Sequence, residues 1–333
     1  MRENIINLDL HGGDFAPNSV LEGARIAKLK YPHIKFQLHS TSECYDKFKK
    51  QYSDLFTSSK WIEAETYVSS EMKPSDALKK DFRKSSMSNA INQLKDDKTQ
   101  ITISAGNTGA MMAYSTIYLR TVENITRPAI TSLFPSKKHP VCFLDLGANS
   151  ECTSENLVDF AVMGSTYYQV LYPEIDCKVS LLNIGSEELK GNSLIQETHE
   201  LLKKDNRFKY EGFIEANNII DTENHVIVTD GFTGNIALKT AEGVSKFITD
   251  SLKKSLTSSF YSKILLLMLK NKFIEFRNSI DPRNYNGGIF LGVNGIVIKS
   301  HGNADSHAFA NAIDFGVKAI ESDLLSKIKS NVS

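Results

Sequence analysis

The segment IINLDLHGGDFAP, residues 5–17, indicates the fold of this 333-residue chain. A β-rich run at 5–10 is followed by a turn at Gly12 and Gly13, and Pro17 stands where the first turn of a helix would begin. The same succession of strand, turn and helix follows the apolar runs at 99–103, 141–145, 179–184 and 226–229. That alternation predicts an α/β fold with a mostly parallel sheet and flanking crossover helices.

Length and composition predict one large domain over residues 1–333. With 41% apolar and 23% charged residues, the chain can bury a large core. The 39 basic residues balance the 39 acidic ones, so no overall field is available to hold nucleic acid. The sequence shows no signal-peptide pattern and no apolar run near the roughly 20 residues that span a bilayer. We therefore expect a soluble, cytoplasmic protein, at most peripheral at the inner face of the cell membrane.

Each predicted strand is followed by a loop that contains glycine. In parallel sheets, ligands bind beyond the carboxyl ends of the strands, where loops and helix N-termini collect. Glycine lets backbone N–H groups approach a ligand closely, and a helix N-terminus favours an anion. The candidate substrate-binding residues at strand ends are Gly12, Gly13, Asp14, Gly106, Asn107, Thr108, Gly109, Asn149, Gly191, Asn192, Gly234 and His301.

Three side chains at these strand ends could take part in chemistry. Lys190 could neutralise an oxyanion or a phosphate, or it could be an exposed lysine paired with Glu187 or Glu188. Asn235 could donate a hydrogen bond to a carbonyl, or it could cap a helix. His301 could contact a ligand or transfer a proton, and a structural role at a strand end explains it equally well.

Motifs of several common mechanisms are missing from the sequence. The four cysteines, at 44, 142, 152 and 177, form no C-x-x-C pair, which argues against a disulfide framework and a zinc site. Cys152 could be imagined as an acyl-accepting thiol, but no sequence feature indicates a lowered pKa. The chain also lacks G-x-G-x-x-G, Walker A, G-x-S-x-G and H-E-x-x-H patterns. We expect no metal and no cofactor, and an activity based on binding and electrostatic stabilisation.

The tract KKSLTSSFYSKILLLMLKNKFIEFR, residues 253–277, is the most biased part of the chain. It has six basic residues and one acidic residue around the apolar run 264–269. It predicts a protruding amphipathic helical element. This element could be a helical hairpin packed on the body or on a second subunit. It could also contact a membrane surface or dock a partner.

The motifs taken together resemble those of a known family. GGDFAP, SAGNTGA, RPAI and LDLGAN begin at residues 12, 104, 127 and 144, in the order seen in the bacterial phosphate acyltransferases of phospholipid synthesis, the PlsX family. The resemblance continues to the C-terminus with FAVMG, LLNIGSEELKGN, TDGFTGN, GVNGIVIKSHG and AFANAI. His11 stands where the family usually has Met, and Ser186 where it usually has Glu. Neither departure removes a residue that is assigned to chemistry.

The resemblance implies a homodimer with a Rossmann-like sheet, related in fold to isocitrate and isopropylmalate dehydrogenases and to phosphotransacetylases. It implies reversible transfer of a fatty acyl group from acyl carrier protein to orthophosphate. The acyl phosphate product would feed a membrane glycerol-3-phosphate acyltransferase. In this hypothesis Lys190 and the loop amides bind phosphate, and Asn235 stabilises the tetrahedral oxyanion as the carrier thiolate leaves. Asn149 and His301 would line the same cleft.

Three alternatives remain open at the level of sequence. The acyl donor could be acyl-CoA instead of acyl carrier protein. The chain could be a nicotinamide-dependent dehydrogenase on the related fold, although it lacks a dinucleotide fingerprint and a metal-binding carboxylate cluster. It could also be a non-catalytic scaffold that recruits lipid enzymes to a membrane through residues 253–277.

Overall fold

Eleven strands form one sheet in the computed structural model, which describes residues 5–95, 99–257 and 287–332 and the isolated residues 269 and 272. The strands are β1 (Ile5–Asp9), β2 (Lys35–Ser40), β3 (Lys60–Glu63), β4 (Thr99–Ser104), β5 (Ala129–Phe134), β6 (Val141–Leu144), β7 (Lys178–Asn183), β8 (Lys209–Glu215), β9 (Val226–Val228), β10 (Gly288–Leu291) and β11 (Ile296–Lys299). Their order across the sheet is β3-β2-β1-β4-β11-β10-β5-β6-β9-β7-β8.

Helices follow most of these strands. They are α1 (Asn18–Lys30), α2 (Ser42–Phe48), α3 (Ser53–Thr57), α4 (Pro74–Ala77), α5 (Ser86–Asn92), α6 (Thr108–Leu119), α7 (Ser154–Leu171), α8 (Ser193–Leu202), α9 (Gly231–Leu256), α10 (Ser306–Glu321) and α11 (Leu324–Val332). Short 3-10 helices lie at Lys80–Phe82, Gln93–Lys95 and Ala216–Asp221. The predicted fold class, a mostly parallel sheet with flanking helices, is confirmed.

The two faces of the sheet carry separate hydrophobic clusters, because successive residues of a strand point to opposite faces. Along β6, Cys142 and Leu144 belong to one cluster and Phe143 to the other. The first cluster includes buried side chains of α1, α7, α10 and α11. The second includes those of α5 and α6, whereas α9 contributes only the partly buried Ala237 and Leu238. Among the described residues, the second face is therefore open beneath α9.

The strands change direction near the centre of the sheet. Seven of the ten pairings among the described strands are parallel. The other three pairings are antiparallel and join β11 to β10, β10 to β5 and β5 to β6. Strands β1–β4 and β11 consequently end at one edge of the sheet, while β6–β9 end at the opposite edge. The glycine loops, which we expected to gather at one edge, form two groups.

Helix α9 connects these two edges. It begins at Gly231 directly after β9, and its 26 residues run back along the sheet. At about 1.5 Å per residue the helix is about 39 Å long, which exceeds the length of the strands beneath it. Residues 253–256 of the basic tract form its last turn. The rest of the tract, apart from the isolated residues 269 and 272, lies outside the described residues, so the helical element at 253–277 stays a prediction.

Candidate active site

A groove of about 1420 Å³ lies between α9 and the open face of the sheet. Along most of its length the wall is apolar, with side chains from the strands, from the 3-10 helix before β9 and from α9. These include Ile130, Phe134, Phe143, Leu146, Leu182, Ile219, Leu238 and Ile248. One end is polar and is lined by Asp14, Lys239, Glu242, Lys299 and His301 together with glycines 13, 106 and 302. The groove thus combines a charged end with a long apolar channel.

Three polar side chains form a stripe along α9 on the groove side. Asn235, Lys239 and Glu242 line the groove and have i, i+4, i+7 spacing, which places them on one face of a helix. Nζ of Lys239 lies 2.8 Å from Oε2 of Glu242. Oε1 of Glu242 lies 3.5 Å from Nδ1 of His301 in the loop after β11. Seven residues of helix rise about 10 Å. The stripe therefore runs from Asn235, beside the loop after β6, to Glu242, beside the loop after β11.

Close backbone packing positions the start of this stripe. The Asp230 side chain caps α9 by accepting from Thr233 N at 2.9 Å. Gly231 N donates to Asn149 O at 2.8 Å, which attaches the helix to the loop after β6. A Cβ added at Gly234 would lie 1.9 Å from Asp145 O, so only glycine permits this approach. This packing fixes Asn235 on the groove wall, next to the loop after β6.

The loops after β1 and β4 are joined by a buried carboxylate. Asp9 accepts hydrogen bonds from Ser86 Oγ at 2.6 Å and from Ser104 Oγ at 2.7 Å. Ser104 Oγ in turn accepts from Gly106 N at 3.0 Å. A Cβ at Gly12 would lie 2.5 Å from Gly106 N, so the two predicted glycine loops are in direct contact. The two loops therefore lie together at this edge, where the loops after parallel strands collect.

The loop after β11 completes the polar end. Asp14 N donates to Gly302 O at 2.7 Å, which ties this loop to the one after β1. His301 is partly buried, with 31% of its side chain exposed. Burial lowers the pKa of His301, whereas the Glu242 carboxylate opposes that effect. The imidazole is therefore biased towards its neutral form.

Lys299 is a cation of the groove that the sequence analysis did not single out. Its Nζ donates to the carbonyl of Ala105 at 3.2 Å and to that of Ser300. Burial lowers its pKa to about 8, and Lys239 acts in the same direction. The signal that was available is a lysine at the end of the apolar strand IVIK, directly before Ser-His-Gly.

Three of the predicted asparagines are engaged within the protein itself. Asn107 caps α6, accepting from Ala110 N at 2.9 Å and donating to Met72 O at 2.8 Å. Asn192 caps α8 through Ile195 N at 3.0 Å. The buried Asn149 donates its side-chain amide to Asp145 Oδ2 at 2.9 Å and to Pro128 O at 2.8 Å. These bonds hold loop geometry, which is the capping role that polar residues have before helices.

The predicted residues fall into two groups in space. Those on the groove wall are Gly13, Asp14, Gly106, Asn107, Thr108, Gly109, Asn235 and His301. Asn149, Lys190, Gly191, Asn192 and Gly234 lie outside the wall, with Gly12 directly behind it. Asn149 and His301 follow β6 and β11, so they lie at opposite edges of the sheet and do not line one cleft as expected. The antiparallel strands between β11 and β6 are the physical reason.

Lys190 is exposed, in the loop between β7 and α8. Its carbonyl accepts from Asn183 Nδ2 at 3.1 Å, and the following Gly191 has a φ of 98°. Glu188 in the same loop lies 3.8 Å from Lys203 Nζ. The Lys190 ammonium therefore projects from a tethered loop at the far edge of the sheet from His301.

The cysteines of the chain are free thiols. Burial raises the pKa of Cys152 to about 11, so this thiol stays protonated at neutral pH and is a poor nucleophile. Within residues 5–95, 99–257 and 287–332, His, Cys, Asp and Glu side chains form no group of three or more that could hold a metal ion. In the same part of the chain, no helix has the length and apolar character needed to cross a bilayer.

The architecture is similar to that of solved structures from bacteria. It is similar to a phosphotransacetylase from Streptococcus pyogenes, with a TM-score of 0.63, coverage of 96% of this chain and 95% of that one, and 16% identity. It is also similar to the EutD phosphotransacetylase from Staphylococcus aureus, with a TM-score of 0.62, coverage of 96% and 94%, and 14% identity. The chain thus has the phosphotransacetylase fold, built here around a groove with a charged end.

Sequence comparisons identify the family. The family described as "Fatty acid synthesis protein" matches residues 5–327. A phosphate acyltransferase from Pelagibacter ubique is 41% identical over 330 residues, which are 98% of each chain. A phosphate acyltransferase from Sinorhizobium fredii is 39% identical over 98% of this chain and 95% of its own. The chain belongs to the phosphate acyltransferase (PlsX) family. It is an acyltransferase of fatty acid and lipid synthesis, and its reaction class is acyl transfer to phosphate.

Proposed function

We propose that this acyltransferase moves a fatty acyl group, reversibly, from acyl carrier protein to orthophosphate and so makes acyl phosphate for phospholipid synthesis. The observation that carries the proposal is the groove under α9, which is apolar along most of its length and has charged groups, among them Lys239 and Lys299, at one end. A long acyl chain and a phosphate anion require these two environments side by side. The family membership supports the same reaction.

The apolar wall suits the acyl chain. Phe134 and Phe143 pack with ring centroids 5.3 Å apart, and Leu146 and Leu182 continue the surface towards the far edge of the sheet. Each methylene that leaves water on this surface contributes about 0.8 kcal/mol. A chain of many methylenes would therefore be held along the groove with its thioester at the polar end.

The charged groups suit the phosphate. Orthophosphate is already anionic and nucleophilic at neutral pH, so it needs positioning beside the thioester more than activation. Lys239 and Lys299 supply positive charge on the groove wall, next to the glycine loops after β1 and β4. We also propose Lys190, which the family resemblance suggests, as a further cation for the phosphate; its loop lies at the opposite edge of the sheet from Lys299, and the Lys190→Ala variant tests the assignment. Asn235 donates to the oxyanion of the tetrahedral intermediate.

Exposed lysines of α9 suit an acidic carrier protein. Lys246, Lys253 and Lys254 lie on the solvent-exposed part of the helix, near the groove. Complementary charge of this kind speeds encounter with an acidic partner and orients it. We propose that acyl carrier protein docks here with its acyl chain directed into the groove.

A homodimer is also part of the proposal. Although α9 has 26 residues, only Gly231 and Gly234 are buried, and Phe232, Val244 and Phe247 are at least half exposed. Such an apolar helix surface is typical of an interface between subunits. Within residues 5–95, 99–257 and 287–332 these three side chains stay largely exposed, which supports this assembly.

The experiment that tests the reaction uses purified protein, orthophosphate and either acyl-acyl carrier protein or acyl-CoA. Acyl phosphate and free thiol are both measured. The proposal requires equal amounts of the two products and faster turnover with the carrier protein. Release of thiol without acyl phosphate would show a hydrolase, and faster turnover with acyl-CoA would replace the proposed donor.

The assigned residues are tested in the same assay. Lys190→Ala and Asn235→Ala are each expected to lower turnover by about 100-fold or more while the protein stays folded, as for lost oxyanion donors. Lys204→Ala, an exposed lysine after α8, is the matched control and should retain wild-type turnover. Near-normal turnover in both folded variants would remove Lys190 and Asn235 from the mechanism.

The cellular setting follows from the fate of the product. A long-chain acyl phosphate is poorly solvated by water, so we propose a cytoplasmic enzyme that works at the inner face of the membrane and delivers to a glycerol-3-phosphate acyltransferase. The tract 253–277 would touch an anionic bilayer without spanning it, unless its lysines instead meet the acidic carrier protein. Replacing Leu267 and Phe273 with Glu should reduce binding to anionic vesicles while turnover on soluble substrate persists. Unchanged vesicle binding would contradict this role.

A further inference from the structure

The imidazole of His301 and the carboxylate of Glu242 are in contact at the polar end of the groove. Oε1 of Glu242 lies 3.5 Å from Nδ1 of His301, and 25% and 31% of these side chains are exposed. Both line the groove, together with Lys239, Lys299 and Asp14. The pair joins α9 to the loop after β11, so its position depends on elements that are far apart in the sequence.

The arrangement is that of a proton-transfer group with its orienting partner. A carboxylate beside Nδ1 favours the imidazole tautomer that carries its proton on that nitrogen. Nε2 is then the basic nitrogen of the ring. The second oxygen of Glu242 lies 2.8 Å from Lys239 Nζ, which fixes the carboxylate from its other side.

The groups around His301 act on its pKa in both directions. Burial lowers its pKa, and the ammonium groups of Lys299 and Lys239 act in the same direction. Glu242 raises it, and Asp14 faces Lys299 with the opposite charge. A neutral imidazole can accept a proton and then release it, which is what a general acid–base group must do.

We infer that His301 is a catalytic residue that relays a proton from the attacking phosphate to the leaving thiolate, and that Glu242 is its positioning residue. This inference rests on the proposed function, because it assumes a thioester and hydrogen phosphate in the groove. An oxygen of hydrogen phosphate bonds to the carbonyl carbon, and the C–S bond breaks. The phosphate proton moves to Nε2 of His301 and then to the sulfur. The net reaction converts RCO–SR′ and HPO₄²⁻ into RCO–OPO₃²⁻ and HSR′, without redox change.

The first test replaces the relay itself. His301→Gln keeps hydrogen-bonding capacity and removes basicity, so we expect kcat to fall by about 100-fold while KM for phosphate changes by less than about threefold. His307→Gln, an exposed histidine in α10, is the matched control and should behave as wild type. Wild-type turnover of a folded His301→Gln variant would overturn the inference.

The second test uses the pH profile, which a purely structural role would not shift. The Glu242 carboxylate raises the pKa of His301, so its removal in Glu242→Gln lowers that pKa. The acidic limb of kcat/KM should then move by about one pH unit towards lower pH, with a lower plateau. Ionisation of phosphate contributes equally to both enzymes, so only the difference between their profiles counts. Coincident acidic limbs would contradict the assignment of Glu242.

The two tests separate this inference from the reaction on which it rests. If wild-type protein forms no acyl phosphate from either thioester, the proposed function is wrong. If wild-type protein forms it and His301→Gln is equally active, the reaction stands and the proton relay is wrong.

Discussion

The side-chain amide of Asn149 donates to Oδ2 of Asp145 at 2.9 Å, and both groups are buried beside the N-terminus of α9. Asp145 also accepts from the backbone of Ile130 at 3.0 Å and of Ala148 at 3.1 Å. This carboxylate organises the loop after β6 as Asp9 organises the loops at the other edge. Asn149, which the sequence suggested as a substrate ligand, is therefore in contact with the protein's own framework.

We predict that Asn149→Ala lowers the free energy of unfolding by about 1–3 kcal/mol, because it leaves a buried carboxylate short of a donor. Urea unfolding followed by circular dichroism measures this loss. Asn192→Ala, which removes the exposed cap of α8, should cost about 1 kcal/mol and serves as the control. If Asn149→Ala unfolds like wild type and raises only KM for phosphate, the side chain is a ligand after all.

We predict that Gly234→Ala displaces the N-terminus of α9. The added Cβ would lie 1.9 Å from Asp145 O, so the helix must shift away from the loop after β6 and carry Asn235 with it. Turnover should fall at least about tenfold, as misplaced catalytic groups cause losses of that order. Kinetic assay together with thermal unfolding measures both effects.

Gly243→Ala is the matched control on the same helix. A Cβ at Gly243 meets no described atom within 4 Å. This substitution should therefore stabilise α9 by up to about 1 kcal/mol, since alanine is the better helix former. If Gly234→Ala also folds and turns over like wild type, the tight packing of this helix start does not position the site.

We predict that phosphate binding weakens as the pH rises through about 8, the pKa to which burial lowers Lys299. Below that pH its ammonium is protonated and attracts phosphate, and above it the charge is lost. KM for phosphate should rise about tenfold, equivalent to one charge-assisted hydrogen bond of about 1.5 kcal/mol. In Lys299→Met, KM should be high at all pH values and lack this step.

The control for Lys299 is Lys138→Met, because Lys138 pairs with Glu223 on the surface and lies outside the groove wall. In this variant, KM for phosphate should rise with pH as it does in wild type, near the same pH. A wild-type KM that is constant from pH 7 to about 9.5 would exclude Lys299 from phosphate binding.

We predict that Phe247→Glu converts a dimer into a monomer. Phe247 is 72% exposed on α9, where burial by a partner subunit would remove apolar surface from water and a charge would prevent it. Light scattering coupled to gel filtration measures the mass. Leu29→Glu, at an 86% exposed position of α1, should leave the mass unchanged. A monomeric wild-type protein would refute the homodimer.

The sequence predicted the strand, turn and helix units, because local patterns of apolar and turn residues specify them. It also predicted the family, through the order of its motifs. The run at 5–10 contains β1, Pro17 stands directly before α1, and the glycine loops follow the strands as predicted. The same patterns suggested Asn235 and His301 as candidate site residues, and both line the groove. They did not identify Lys239, Glu242 or Lys299, since charged residues in a helix and at a strand end are usually on solvated surfaces.

The tertiary structure alone decided which of these groups meet. Whether a strand runs parallel or antiparallel depends on its neighbours in the sheet and does not change its own hydrophobic pattern. The reversal of direction through β10 and β5 could therefore not be predicted from the sequence. That reversal separates Asn149 from His301 and leaves α9 to bridge the edges. Glu242 meets His301 because the helix is long enough to cross the sheet, a contact that depends on packing summed over the whole chain.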